Sequence, residues 1–232
     1  MREIMLDTET TGLSHKEGDR IVEIGCVEMV NRFATGEVYH QYVNPERSMP
    51  KPAFDVHGLS EEFLSDKPLF EELADGFLEF IDGAKLVIHN APFDLGFLNF
   101  ELERVKRPAI AWTNVIDTLQ MARQKYPGAA NNLDALCRRF NIDNSSREKH
   151  GALLDSELLA EVYLELIGGH QAGLDLGSGA GGASEGGEPL ATAKPRVKAL
   201  PSLLTKEELE AHEAFIKTLG DEPLWNKLLS GS

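Results

Sequence analysis

The spacing of apolar residues along the chain predicts two short strands, the second followed by a helix. Residues 2–6 and 85–88 are apolar-rich runs of the length that β-strands favour. A helix is expected directly after the second run, because Asn90 can cap it and Pro92 fits its first turn.

The longest helical pattern covers residues 150–169. Apolar residues recur at every fourth position there, and Leu159 and Tyr163 widen the apolar stripe. The residues at that spacing are Leu154, Leu158, Val162 and Leu166. Gly168 and Gly169 are expected to end this helix, because glycine commonly follows the last helical turn.

Acidic residues stand beside these elements in three short segments. The segments are LDTETTGL at 6–13, HNAPFD at 89–94 and HGALLD at 150–155. Their carboxylates are Asp7, Glu9, Asp94 and Asp155. Four carboxylates at close range raise one another's pKa and oppose folding unless a cation neutralises them. A cluster of oxygen ligands suits Mg²⁺ or Mn²⁺, and a neighbouring histidine such as His150 can accept a proton near neutral pH.

Each of these residues also has an ordinary structural explanation. Asp7 and Glu9 share one face of a strand, yet an acidic residue at a strand end is common. Asp94, in the first turn of a helix, complements the helix dipole. His150 is five residues ahead of Asp155, so it fits the loop before the helix rather than the same helical face. None of these explanations accounts for the three segments occurring together.

Together the three segments resemble the DEDDh family of 3′→5′ exonucleases, over about residues 2–170. The motif triple is highly specific for the superfamily, and residues 126–164 are similar to its epsilon subfamily, the proofreading subunits of bacterial DNA polymerase III. The resemblance implies an α/β, RNase H-like fold with a mixed central sheet flanked by helices. It also implies two divalent metal ions on the four carboxylates. His150 would then be the general base in a hydrolysis that releases 5′-mononucleotides.

The resemblance further implies contacts with the single-stranded 3′ end of DNA. His57 lies in VHGLS at 56–60, which matches a family segment near the bound nucleotide. The turn at Thr11 and Gly12 can bring its backbone close to a ligand. Leu13 either wedges between terminal bases or belongs to the core. The expected substrate contacts are Thr8, Thr11, Gly12, Leu13, His57, Asn90 and Phe93.

Composition indicates a cellular compartment, and the net charge at first argues against nucleic-acid binding. The chain of 232 residues suits one sizeable domain with an appendage, and its two cysteines are too few for a disulfide framework or a zinc site. A reducing bacterial cytoplasm is therefore expected, and no signal peptide, internal repeat or membrane-spanning run is visible. The net charge of −15 is unusual for a nucleic-acid binder. It predicts weak intrinsic DNA affinity, with the 3′ end delivered by a partner.

Beyond residue 168 the composition changes. Nine of the 21 glycines fall between residues 168 and 187, as in flexible linkers. Thr205 and Glu208 form a capping box for a short amphipathic helix at 205–219, which needs a partner surface because such a helix is marginal alone. By resemblance the partner is the polymerase (alpha) subunit, although a tail folded back on its own domain is the alternative. The expected contacts are Leu209, Ile216, Leu219 and Trp225.

The predicted organisation has three parts: an exonuclease domain at 1–169, a Gly-rich linker at 170–200 and a polymerase-binding segment at 201–232. The linker begins with a sequence similar to the short peptides that bind the sliding clamp. Its expected contacts are Gln171, Leu174 and Leu176, with weak affinity because ordering a flexible peptide costs contact energy. A third small subunit of the polymerase core is a further candidate partner.

Two other functions fit part of the pattern. A DEDDh ribonuclease of the RNase T or oligoribonuclease type would share the catalytic residues but would not need the tether and terminal helix. A non-catalytic scaffold subunit of the polymerase would not need five site residues that oppose folding. The sequence therefore favours a 3′→5′ exonuclease that proofreads DNA replication.

Overall fold

Five strands form one mixed sheet at the centre of the fold. The computed structural model describes residues 1–145, 147, 149–168 and 205–218. The strands are β1 (Arg2–Thr10), β2 (Ile21–Val30), β3 (Phe33–Tyr42), β4 (Lys85–Ile88) and β5 (Val115–Asp117), in the order β3-β2-β1-β4-β5. Strand β1 pairs antiparallel with β2 and parallel with β4, so it lies in the middle of the sheet. The predicted mixed sheet is thereby confirmed.

Seven of the described helices accompany the sheet. They are α1 (Lys51–His57), α2 (Glu61–Leu64), α3 (Phe70–Ile81), α4 (Ala91–Arg104), α5 (Thr118–Lys125), α6 (Leu133–Phe140) and α7 (Ala152–Leu166). Helix α8 (Lys206–Thr218) belongs to a second compact unit. No helix in the described part of the chain combines the length and apolar character needed to cross a membrane.

Alternation along β1 decides which face of the sheet carries the acidic residues. Ile4 and Leu6 are fully buried in one cluster, together with side chains of α3 and α4. Met5 points to the opposite face and packs with Leu159 and Tyr163 of α7. Residues 7 and 9 continue the Met5 side, because every second residue of a strand shares a face. The carboxylates of β1 therefore lie on the face that α7 covers.

Gly25 of β2 allows α7 to approach the sheet closely. It is paired directly with Asp7 of β1. A Cβ atom at this position would lie 2.2 Å from the backbone carbonyl carbon of Ala152, in the first turn of α7. Ser156 of the same helix donates a hydrogen bond from Oγ to the Gly25 carbonyl oxygen, at 2.9 Å. The missing side chain thus brings Asp155, in that same first turn, next to β1.

Two boundaries differ from the sequence-based expectation. Strand β1 continues to Thr10 because its pairing with β2 does, so Asp7 and Glu9, which were expected at the end of the strand, lie inside it. Asn90 does precede α4, but the prediction that its side chain caps the helix is wrong. Its backbone is left-handed, with φ of 72°, and the side chain makes no capping hydrogen bond. Pro92 lies in the first turn, as predicted.

The capping box of α8 is confirmed. The Glu208 backbone N–H donates to Thr205 Oγ1 at 3.2 Å, and the Thr205 N–H donates to the Glu208 carboxylate at 2.8 Å. Leu209 is exposed and Ile216 is half-buried. The predicted linker and several predicted contacts lie outside the described residues, namely Gln171, Leu174, Leu176, Leu219 and Trp225.

Candidate active site

One cleft of about 1250 Å³ gathers the predicted site residues. Its walls come from β1, the turn after β1, α1, the start of α4, α7 and the residues just before α7. All five predicted catalytic residues line it: Asp7, Glu9, Asp94, His150 and Asp155. The structure therefore brings together groups that are up to 148 positions apart in the chain.

Asp94 is held in place by Thr8. The backbone N–H and the Oγ1 hydroxyl of Thr8 both donate to Asp94 Oδ1, at 3.1 and 2.7 Å. Both residues are buried. Thr8 was predicted to contact substrate, and in this structure its hydroxyl is already used to orient a carboxylate.

Three of the carboxyls resist ionisation. Burial, followed by the charges of Asp94 and Glu9, raises the pKa of Asp7 well above 3.8. Burial, followed by the charges of Asp155 and Glu23, raises the pKa of Glu9 to about 8. Burial also raises the pKa of Asp94, although the hydrogen bonds from Thr8 oppose the shift. Without a cation, this cluster therefore retains protons at neutral pH.

Asp155 behaves differently because Arg147 neutralises it. Arg147 Nε donates to Asp155 Oδ1 at 2.5 Å, and Nη2 donates to Oδ2 at 2.7 Å, so the pair is bidentate. Burial opposes ionisation of Asp155, but hydrogen bonds from His150 and Arg147 outweigh it and hold its pKa below 3.8. The Arg147 side chain is itself only 6% exposed. Arg147 is not among the site residues that the sequence predicts.

His150 lies in the segment just before α7, as predicted. Its backbone N–H donates to the Val56 carbonyl at 3.2 Å, which ties the segment to α1. Its ring is 49% exposed, and Nδ1 is 3.4 Å from Asp155 Oδ2. A half-exposed ring beside a buried carboxylate can exchange protons with solvent, as a general base must.

The donor set fits a divalent metal ion. A carboxylate oxygen of Glu9, a carboxylate oxygen of Asp155 and a ring nitrogen of His150 all lie within 4.8 Å of one another. Asp7 and Asp94 line the same cleft and supply further carboxylate oxygens. Hard divalent cations prefer oxygen ligands, and a cation would remove the repulsion that raises the pKa values of these carboxyls.

Comparison with known proteins gives the family. The RNase T family model, described as exonuclease, matches residues 4–163. The chain is 52% identical over 226 residues to DNA polymerase III subunit epsilon of Rickettsia felis, which covers 94% of this chain and 97% of that protein. Identity to DNA polymerase III subunit epsilon of Escherichia coli K12 is 46% over 239 residues, covering 97% of each. The chain belongs to the epsilon family of DEDDh exonucleases.

Solved structures share the fold of this epsilon-family chain. Exonuclease X in complex with 5′ overhanging duplex DNA has a TM-score of 0.57 at 24% identity, covering 71% of this chain and 90% of that one. The nuclease domain of 3′hExo, a DEDDh family member, bound to rAMP, has a TM-score of 0.63 at 16% identity, covering 72% and 91%. The expected RNase H-like fold is thereby confirmed.

All the predicted substrate contacts line the cleft. Burial and hydrogen bonding show which of these side chains can reach a substrate. Leu13 is 87% exposed, so the alternative that it belongs to the core is excluded. His57 is buried, its Nδ1 accepts from the Leu59 N–H at 3.0 Å, and burial lowers its pKa. Its Nε2 therefore carries the proton, and the backbone of Thr10 is near enough to affect the pKa of the ring.

The turn after β1 is built around Asp19. A Cβ atom on Gly12 would lie 2.3 Å from the Asp19 carboxylate, so glycine is needed there to make room for that side chain. Thr11 is fully buried, and its Oγ1 donates to Asp19 Oδ1 at 3.3 Å. The side chains of this turn are thus engaged internally, which leaves Leu13 as the side chain that projects from it.

Sequence reasoning missed one wall of the cleft. This wall is formed by Arg123 of α5 and by residues of the segment from Gly128 to Leu133. Asn131 is buried there, and its side-chain amide donates to the carbonyls of Tyr126 and Ala129. Residues 128–133 lie in the stretch that resembles the epsilon subfamily, but their place in the cleft could not be read from the sequence, because it depends on where α5 and α6 pack.

Proposed function

We propose that this chain is a 3′→5′ exonuclease that proofreads DNA replication, as a subunit of the replicative DNA polymerase. It removes mispaired 3′-terminal nucleotides as 5′-mononucleotides. The observation that carries the proposal is the convergence of four carboxylates and His150 in one cleft of a chain of the epsilon family. A divalent-metal requirement is general in this family.

The chain's own residues have distinct roles in the reaction. Asp7, Glu9, Asp94 and Asp155 would hold two Mg²⁺ or Mn²⁺ ions. When bound, these ions supply Lewis acidity and charge neutralisation at the scissile phosphate. His150 takes a proton from the attacking water and passes it to solvent, to which its ring is half open.

Selection of errors requires no recognition of base identity. A mispaired end frays more readily, and a single strand can enter a site that a duplex cannot. Leu13 is exposed at the cleft and is the apolar side chain placed to separate terminal bases. Phe93 and His57 also line the cleft, where they can offer a ring face and an imidazole N–H to the substrate.

Incubation of the purified chain with 3′-mismatched and 3′-matched primers tests the proposal. Mononucleotides should leave the 3′ end only when Mg²⁺ or Mn²⁺ is present, and faster from the mismatched primer. Asp7→Asn provides the inactive comparison, because it keeps the shape of a proposed ligand and removes its charge. Preference for RNA would favour the ribonuclease alternative, and absence of metal-dependent cleavage would favour the scaffold.

The proposed protein partners follow from the sequence beyond residue 168 and from membership of the epsilon family. Leu209 and Ile216 of α8, with Leu219 and Trp225, bind the polymerase alpha subunit in the bacterial cytoplasm. Gln171, Leu174 and Leu176 bind the sliding clamp weakly, and a third small core subunit is a further partner. Residues 1–170 should then remain a nuclease yet fail to co-purify with alpha. Changing all three clamp contacts to alanine should abolish clamp binding and spare nuclease activity.

A further inference from the structure

Arg147 occupies the charge-neutralising position in the site. Its guanidinium makes a bidentate pair with Asp155, and Nη1 donates to Asp134 Oδ1 at 2.6 Å. Nη2 also lies 2.8 Å from His150 Nδ1. The single cation thus contacts one proposed metal ligand, the proposed general base and a third residue on α6.

These contacts conflict with metal binding at Asp155. Both carboxylate oxygens of Asp155 already accept hydrogen bonds from Arg147. A divalent ion needs one of those oxygens as a ligand, and it would be repelled by a guanidinium a few ångströms away. Arg147 occupies one lone pair on each oxygen and places a positive charge beside the others, so the bidentate pair and a divalent ion compete for the same carboxylate.

The arrangement also restrains His150. Its Nδ1 lies 2.8 Å from Arg147 Nη2 and 3.4 Å from Asp155 Oδ2. The ring is therefore held beside the guanidinium–carboxylate pair, and its surroundings change if Arg147 leaves Asp155.

We propose that Arg147 is a positioning residue that acts as a built-in counter-cation. It holds Asp155 and His150 in the metal-free site and is exchanged for a divalent ion when the site is loaded. The proposal rests on the metal-dependent function proposed above.

Asp134 can keep Arg147 in an ion pair while Arg147 leaves Asp155. It lies on α6, its side chain is 40% exposed, and it binds Arg147 on the side away from Asp155 through Nη1. Asn144 also donates to Asp134, at 3.1 Å, which fixes the carboxylate. Arg147 can therefore leave Asp155 while keeping one ion pair, and the exchange does not require an unpaired arginine.

Metal titration of the full chain without DNA tests the exchange. Mn²⁺ binding is measured by calorimetry and by thermal shift for the unsubstituted protein, Arg147→Met, Arg147→Lys and Arg123→Met. The last variant is the matched control: it removes the same charge from the same cleft, but from an exposed arginine. Arg147→Met should lower the Kd for Mn²⁺ at least about tenfold, which corresponds to about 1.4 kcal/mol of removed competition. Arg147→Lys should be intermediate, and Arg123→Met should change Kd by less than about threefold, because exposed charges are screened.

Nuclear magnetic resonance of the unsubstituted protein provides a second readout that needs no variant to fold. The Arg147 Nε–H signal, assigned by its loss in Arg147→Lys, should be protected from solvent exchange without Mg²⁺ and lose protection at saturating Mg²⁺. Unchanged or weaker Mn²⁺ binding by folded Arg147→Met, or protection that persists in Mg²⁺, overturns the exchange. If the unsubstituted protein itself binds no Mn²⁺ or Mg²⁺, the metal-dependent function fails with it.

Discussion

Replacing Glu9 with glutamine should stabilise the metal-free protein at alkaline pH. Glu9 is 8% exposed, and its pKa is raised from 4.5 to about 8 by burial and by the charges of Asp155 and Glu23. Between these two pH values the folded protein retains a proton that the unfolded chain releases. The free energy of unfolding therefore falls as pH rises from about 4.5 to about 8. Glutamine cannot ionise, so the variant lacks this loss.

The size of the effect follows from the shift. Each pKa unit corresponds to about 1.4 kcal/mol, so the displacement of Glu9 sets an upper limit of about 5 kcal/mol. Relaxation of a charged site lowers such values, and a gain of about 3 kcal/mol at pH 8.5 is expected. For a domain of this size that gain raises Tm by about 6–12 °C. Below pH 4.5 the two proteins should be equally stable.

Urea denaturation followed by circular dichroism, at pH 5 to 8.5 in EDTA, measures the difference. Glu157→Gln is the matched control, because it makes the same chemical change on the exposed side of α7. Saturating Mn²⁺ should reverse the order of stability, since the unsubstituted protein gains a ligand that the variant lacks. If the free energy of unfolding in EDTA changes with pH in the same way for Glu9→Gln and for the unsubstituted protein, the electrostatic reasoning is refuted.

Three further substitutions separate the roles of other residues. His150→Ala should lower turnover roughly 10²–10⁴-fold with little change in Mn²⁺ affinity; a large loss of affinity would make His150 a ligand instead. Gly25→Ala should lower stability by about 1–3 kcal/mol and weaken Mn²⁺ binding, because its Cβ overlaps the Ala152 backbone. Gly76→Ala is its control: this glycine is exposed in helix α3 with nothing from other segments within 4 Å, so alanine should leave stability unchanged or raise it by about 1 kcal/mol. A melting temperature of Gly25→Ala equal to that of the unsubstituted protein would contradict the packing argument. Leu13→Ala should slow mismatch excision several-fold without changing Tm, since Leu13 is exposed.

The sequence predicts the local features of the site well, because they depend on short-range geometry. Alternation along β1 places Asp7 and Glu9 on one face, and the position of His150 before α7 follows from helical spacing. The left-handed backbone of Asn90 was not predictable from the pattern, since asparagine is equally suited to capping.

Features that depend on packing between distant segments could not be predicted. Gly25 matters only because it pairs with Asp7 and meets the first turn of α7, more than 120 positions away. Arg147 is one of several charged residues in a polar stretch, and no spacing rule distinguishes it from Lys149. Its bidentate contact with Asp155 becomes visible only when the segment between α6 and α7 is placed in three dimensions.

The charge of the cleft bears on how errors are selected. Among the described residues that line it, the lysine and arginine side chains are Arg123 and Arg147, and Arg147 is engaged with carboxylates. Few phosphate contacts give weak binding with a shallow salt dependence. Unpairing a terminal base costs a few kcal/mol, and a weakly binding site cannot supply that energy. Only an end that has already frayed would then enter the cleft, so weak binding by the nuclease site itself favours mispaired ends. The proposed polymerase partner would supply the local concentration of such ends.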